Sequence, residues 1–323
     1  ALGDSSLAAN TTASNNTAVG QAALTANTTG TQNVAVGSLA LDANTTTHDS
    51  VAVGYAALTT ATVGTNTAVG SEAMQYTTSG ANNVGVGLQA LRANTTGTGN
   101  TAVGQGAGIA VTTGSNNTIV GKLAGDAITT GSANVAIGED ALSTATTADN
   151  NTAVGQGALE ATTTGANNVA VGMSALVANT TGTHNTAVGV YALDANTTAT
   201  ANTALGSSTL TANTTGADNV AVGHSALEAN TTASNSTAVG KNALKANTTG
   251  DLNTAVGTNA LAACTTGDHN TAMGQRSLVS NTTGSYNIAI GRASLEANTT
   301  ASNNTAVGIH ALLANTTGTE NVA

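Results

Sequence analysis

The side chains able to carry chemistry in this 323-residue chain are sixteen carboxylates, five histidines, six lysines and arginines, and one thiol. General acid–base work needs two carboxylates held opposite each other, and a metal centre needs His, Cys or Asp at ligand spacing. Neither pattern recurs. The acids (Asp42, Glu160, Asp194, Glu228, Glu296) stand singly in the variable place after a leucine, read as a solvated position where charge keeps chains soluble. The histidines divide between corner positions (His48, His184, His269) and the place after a glycine (His224, His310). The Gly-Gly-x-Gly-x-Asp pattern of calcium-binding rolls is absent. Cys264 is alone, so no intrachain disulfide forms, and it stands where most copies of the surrounding phrase have Asn. The 38 glycines make no phosphate cradle, because no helix start follows any of them. These residues predict no enzyme, no cofactor and no metal.

Three other features could engage a partner. Asn-Thr-Thr triplets, as at Asn27 and Asn94, match the N-glycosylation pattern. Stacked in a repeat, the same asparagines would instead form a hydrogen-bonded ladder, and that is the reading favoured. Threonine columns (Thr28, Thr29, Thr45) suggest an ice-binding solenoid, but neighbouring threonines point to opposite sides. The second Thr column (Thr17, Thr101, Thr152) is interrupted by Val34, Val84 and Val169. The residues after each glycine vary freely: Gln21-Ala22, Tyr55-Ala56, Glu139-Asp140, Val190-Tyr191, His224-Ser225. That variable face suits a host-surface receptor or another fibre.

The elements that must position these groups follow from one period. The phrase Asn-(Thr/Val)-Ala-(Val/Ile)-Gly returns every seventeen residues, its glycines running Gly3, Gly20, Gly37, Gly54, Gly70 and on to Gly308. One step, Gly54 to Gly70, is sixteen. A period of this size marks a stack in which each unit buries its apolar face only against its neighbours. The chain is therefore expected to be one repeat domain over residues 1–323, with about nineteen coils. Beginning and ending inside a repeat, it reads as an excerpt of a longer array.

Within a coil, Val34-Ala35-Val36 is β-branched and alternating, a strand signal. Glycines such as Gly20, Gly37, Gly104 and Gly155 end each strand with a turn. A second apolar stretch, Ala40-Leu41, reads as a second short strand, too brief to nucleate a helix. The expected core is the aliphatic before each glycine (Val19, Val36, Val103, Val154, Val222) together with the leucine column (Leu24, Leu41, Leu159, Leu227). By strand parity, Ala18, Ala35, Ala23 and Ala40 then point outward as an apolar stripe facing a partner. Residues 104–138 depart from the pattern. Gly108 and Gly125 replace the core leucine while Val111 and Ile128 replace the corner Asn, which predicts a local change of cross-section. Two aliphatic side chains per coil cannot offset chain entropy alone, so backbone, Asn and Thr ladders and a second chain must contribute.

A net charge of -10 with six basic residues excludes a phosphate-neutralising track, and with it a nucleic-acid partner. No apolar run of transmembrane length and no signal peptide occurs. The phrases Asn-Thr-Ala-Val-Gly (16–20, 151–155, 185–189) and Asn-Val-Ala-Ile-Gly (134–138) resemble the head repeats of YadA-like trimeric autotransporter adhesins. Similar repeats, with Ala-Leu and Asn-Thr-Thr-Gly following as at Ala23-Leu24 and Asn27 to Gly30, occur in phage tail fibres and bacterial surface filaments. The resemblance implies a left-handed β-roll and lengthwise association of three chains. It also implies an extracellular structural or adhesive role, although the adhesin heads use a shorter coil. The expectation is an all-β, elongated β-solenoid, roughly 90 Å long at ~4.8 Å per coil, acting as a homo-oligomeric surface filament. A phage tail fibre for host recognition is the alternative, and an ice-binding solenoid a third.

Overall fold

The computed structural model describes residues 1–323. Eighteen three-residue strands and no helix make up the regular structure, from Thr17–Val19 (β1) to Thr305–Val307 (β18). The chain forms a β-solenoid, described as two compact units, Ala1–Thr164 and Gly165–Ala323. Within each unit successive strands pair in parallel, every residue opposite its equivalent in the next coil, as in Val169↔Thr186 and Ala170↔Ala187. The sixteen-residue step leaves this register intact: Val51, Ala52 and Val53 face Thr67, Ala68 and Val69. The missing residue is the left-handed one that other coils place before the inner Asn or Ser (Gln32, Asp49, Asn82): Thr65 is followed directly by Asn66, and Gly64 takes φ 93° instead.

The Ala-Leu stretch is not a second strand. It is a tight turn carrying two left-handed residues per coil, such as Ala22 (φ 55°) and Leu24 (φ 52°). The chain curls so sharply there that adjacent residues, Ala23 with Leu24 and Ala40 with Leu41, both point inward and are fully buried. Burial of the leucine offsets a left-handed conformation that non-glycine residues ordinarily avoid.

Strand parity is the reverse of the sequence expectation. Ala18 and Ala35 are buried, whereas Val19 and Val103 are 37% and 39% exposed, and Val36, Val154 and Val222 are half-buried. The expected interface alanines are therefore core, and the expected core valines are surface. Only the leucines (Leu24, Leu41, Leu159, Leu227) lie where predicted. The physical reason is the width of the lumen. The leucine tip reaches the backbone of the strand and leaves room for one methyl group. Where Met74 replaces the leucine, even that methyl is lost: the facing strand residue is Gly85, whose added Cβ would lie 2.8 Å from Met74 Cγ.

Residues 104–138 follow the same rule in reverse. With Gly108 and Gly125 in place of leucine, the strand alanine becomes Ile119, whose Cδ1 lies 2.8 Å and 3.4 Å from the Cβ positions those glycines lack. Val111 and Ile128 fill the rest and are fully buried. Pairing continues undisturbed from Thr101 to Ile137, so the expected change of cross-section is an exchange of side chains that conserves volume.

The turn glycines are held at φ between 125° and 141°, for example Gly20 (130°), Gly37 (138°), Gly104 (141°) and Gly155 (135°). At Gly223 (φ 125°) an added Cβ would also sit 2.7 Å from the carbonyl carbon of Gly240 in the next coil. Gly106 (φ 66°) occupies a place where other coils have alanine, such as Ala22 and Ala56 (φ 55° and 53°). Gly223→Ala is expected to lower stability in urea unfolding by roughly 2–4 kcal/mol. Gly106→Ala, whose Cβ would meet only the tip of the Leu123 side chain, should cost less, about 1 kcal/mol. Equal effects at the two positions would contradict this account.

Candidate functional site

The polar columns of the repeat are spent on the next coil. A threonine stands eight residues after each turn glycine in all nineteen copies, and in most of them its hydroxyl donates to the carbonyl oxygen of the same threonine one coil on. Thr214 Oγ1 to Thr231 O and Thr231 Oγ1 to Thr248 O are both 3.0 Å. Sequence reading noted these threonines as paired residues but missed that one of each pair is invariant, the signal that could have marked the ladder.

Two asparagine columns run inside the coils. In the column preceding the strand, Asn117 Nδ2 donates to Asn100 Oδ1 (3.1 Å) and to Gly131 O (2.9 Å). The Asn117 backbone N–H also donates to Asn100 Oδ1, at 3.0 Å. In the Asn-Thr-Thr column, Asn213 Nδ2 donates to Asn196 Oδ1 (3.1 Å) and to Gly216 O (3.0 Å). The ladder reading holds for Asn27, whereas Asn94, between Thr77 and Val111, donates its amide only to Gly97 O of its own coil; both side chains are fully buried. Where the following coil lacks Asn the ladder fails. Asn94, followed by Val111, and Asn247, followed by Cys264, each keep a buried Oδ1 without a partner. The Cys264 thiol donates instead to Gly267 O at 3.4 Å, and burial pushes its pKa up to about 11.

The acids after the leucine are less solvated than expected. Asp42 and Asp194 are half-buried, each with one buried, unpartnered carboxyl oxygen, and desolvation raises both pKa values above 3.8. Glu160 is exposed, Glu228 pairs with Lys245 at 3.2 Å, and Glu296 accepts from Arg276. Threonine suits this place better: Thr25 Oγ1 donates to Ala22 O at 2.7 Å and Thr211 Oγ1 to Glu228 O at 3.1 Å.

The histidines are not brought together. His48 Nδ1 accepts from the Thr31 N–H at 3.1 Å, and His269 stacks on Tyr286 with ring centres 4.7 Å apart. No group of three or more His, Cys, Asp or Glu side chains could hold a metal ion. The short coil opens a pocket of about 340 Å³ between Thr46–Asp49 and Thr62–Thr65.

What the coil turns outward is its strand face. Two columns stand there: Thr or an aliphatic (Thr17, Val34, Val51), and an aliphatic in every strand (Val19, Val36, Val53). The second column includes Leu205 at 48% exposure and Met273 at 42%. Neither column contains a charged residue, although the chain carries 22 of them. On the variable face beside it, the first residue of each pair is exposed (Gln21, Tyr55, Glu139, Val190, His224); the second is half-buried or buried (Ala22, Ala56, Asp140, Ser225) except Tyr191, which is exposed.

No protein-family model matches the chain, and no curated protein matches it.

Two measurements test the ladders. Cys264→Asn restores a donor to Asn247 Oδ1 and should raise stability by about 1 kcal/mol in urea unfolding; a loss would show that the site cannot accept the amide. Asp194→Thr should stabilise by a similar ~1 kcal/mol at neutral pH. The raised carboxyl pKa destabilises the fold only while the group is charged, so this gain should shrink as pH falls through the raised pKa towards the ordinary 3.8 and stay constant below it.

Proposed function

We propose that this chain is a structural and adhesive element of an extracellular surface filament, associating lengthwise with copies of itself through the strand face. The observation that carries the reading is the division of labour around the coil. The invariant threonines and inner asparagines are mostly engaged by the next coil, while within each unit an unbroken aliphatic column is left partly exposed and uncharged. Contiguous apolar columns on a solenoid mark an association surface. A second copy is the partner that fits it, because its rungs have the same spacing and meet in register one after another. Its net charge of -10 also demands a contact zone free of like charges. The resemblance of the repeat phrase to trimeric adhesin heads adds an expected stoichiometry of three and a cell-surface location. A role as a phage fibre would use the same association. Ice binding is less well supported: the hydroxyls of the invariant threonine column are mostly already donated, and valines interrupt the threonines of the strand face.

The test is the state of association. In sedimentation velocity the chain should run as an oligomer at micromolar concentration. The double substitution Val222→Lys with Val239→Lys should yield monomer while changing unfolding stability by less than about 1 kcal/mol. A wild-type monomer, or an oligomer indifferent to both lysines, would overturn the proposal.

A further inference from the structure

The structure divides the N-glycosylation patterns of this chain into two sets of opposite character. The conspicuous set is Asn-Thr-Thr, present twelve times. Ten of these asparagines, from Asn27 to Asn298, are 0% exposed, with amide nitrogens that donate inside the coil, as Asn27 Nδ2 does to Gly30 O and Asn213 Nδ2 to Gly216 O. The second set is inconspicuous, because it overlaps the strand phrase. Asn15-Asn16-Thr17, Asn116-Asn117-Thr118, Asn150-Asn151-Thr152, Asn235-Ser236-Thr237 and Asn303-Asn304-Thr305 each satisfy Asn-x-Ser/Thr. All five leading asparagines are exposed, and all five are left-handed, with φ between 57° and 61°. They share the corner place just before the strand. The inward residue follows them, and the threonine two residues on opens the outward strand face, where Thr17 and Thr118 are exposed.

We propose that Asn15, Asn116, Asn150, Asn235 and Asn303 are acceptor sites for an N-linked sugar, and that the buried Asn-Thr-Thr asparagines are not. A glycan needs an amide nitrogen that reaches solvent and a side chain whose displacement costs the fold nothing. The corner asparagines provide both. The ladder asparagines provide neither, because a sugar on Asn213 would have to occupy the lumen. In the transfer, the Asn Nδ2 forms a bond to the anomeric carbon of a nucleotide-activated sugar. The bond from that carbon to the nucleoside diphosphate breaks, the diphosphate leaves, and the amide proton passes to a base on the transferase. The order of events follows from the burial: sugar must be added after the coils close, because a glycan on a ladder asparagine would prevent closure.

The experiment treats the folded chain, and separately the chain unfolded in urea and diluted, with a soluble sequon-specific N-glycosyltransferase and UDP-glucose. Peptide mapping by mass then locates the hexoses. In the folded chain, hexose is expected at the five corner asparagines and at none of the ten buried ones. The unfolded chain should acquire hexose at Asn-Thr-Thr as well, and Asn235→Gln should remove one site only. Transfer to buried Asn-Thr-Thr in the folded chain would overturn the proposal. So would absence of transfer to the five corner sites in the folded chain.

Discussion

The constraint on which this molecule depends is the narrowness of its lumen. One leucine side chain spans it, and the strand opposite can then contribute no more than a methyl group. Several features follow from that single dimension. The strand centre must be alanine, so the larger residues that flank it must face outward. The coil must close in tight turns whose left-handed residues put both Ala23 and Leu24 inside. The lumen is too small to be stabilised by apolar burial alone, and asparagines line the rest of it. Their amides satisfy the carbonyl groups that such sharp corners turn inward.

The exceptions show that volume, rather than residue type, is what is held constant. Met74 is answered by Gly85, and the glycines at 108 and 125 are answered by Ile119, Val111 and Ile128. Polar continuity is held less strictly. Asn94 and Asn247 each retain an acceptor with no donor, where the next coil has Val111 or Cys264. A buried amide that loses one partner costs of the order of 1–3 kcal/mol. A long stack can carry that locally, because each coil answers mainly to its two neighbours.

Much of this was legible in the sequence, and the part that was not is instructive. The seventeen-residue glycine period fixes the coil, the parallel rungs and the stacking of like residues, and Asn-Thr-Thr was readable as a ladder. The inside–outside assignment was not readable from Val34-Ala35-Val36. Period two shows that neighbours oppose each other but not which of them faces in, and the usual preference for burying the larger side chain gives the wrong answer in so thin a coil. The turn at Ala40-Leu41 was hidden for a related reason. Leucine is a poor indicator of left-handed backbone, and only the tertiary position of Leu41 explains its φ of 51°. The corner before the strand was more informative, since asparagine often stands there (Asn15, Asn82, Asn116, Asn150) and tolerates that conformation.

The one-residue deletion between Gly54 and Gly70 has a mechanical meaning. In a stack of parallel rungs the hydrogen bonds between coils lie along the stacking direction, so a pull along that direction loads them in series and the weakest rung parts first. In the first unit that rung is the short coil, which lacks the corner residue whose N–H elsewhere donates to the coil before it, as the Asp49 N–H does to Thr31 O. Under tension the unit would part there first, and the rungs on either side would stay closed.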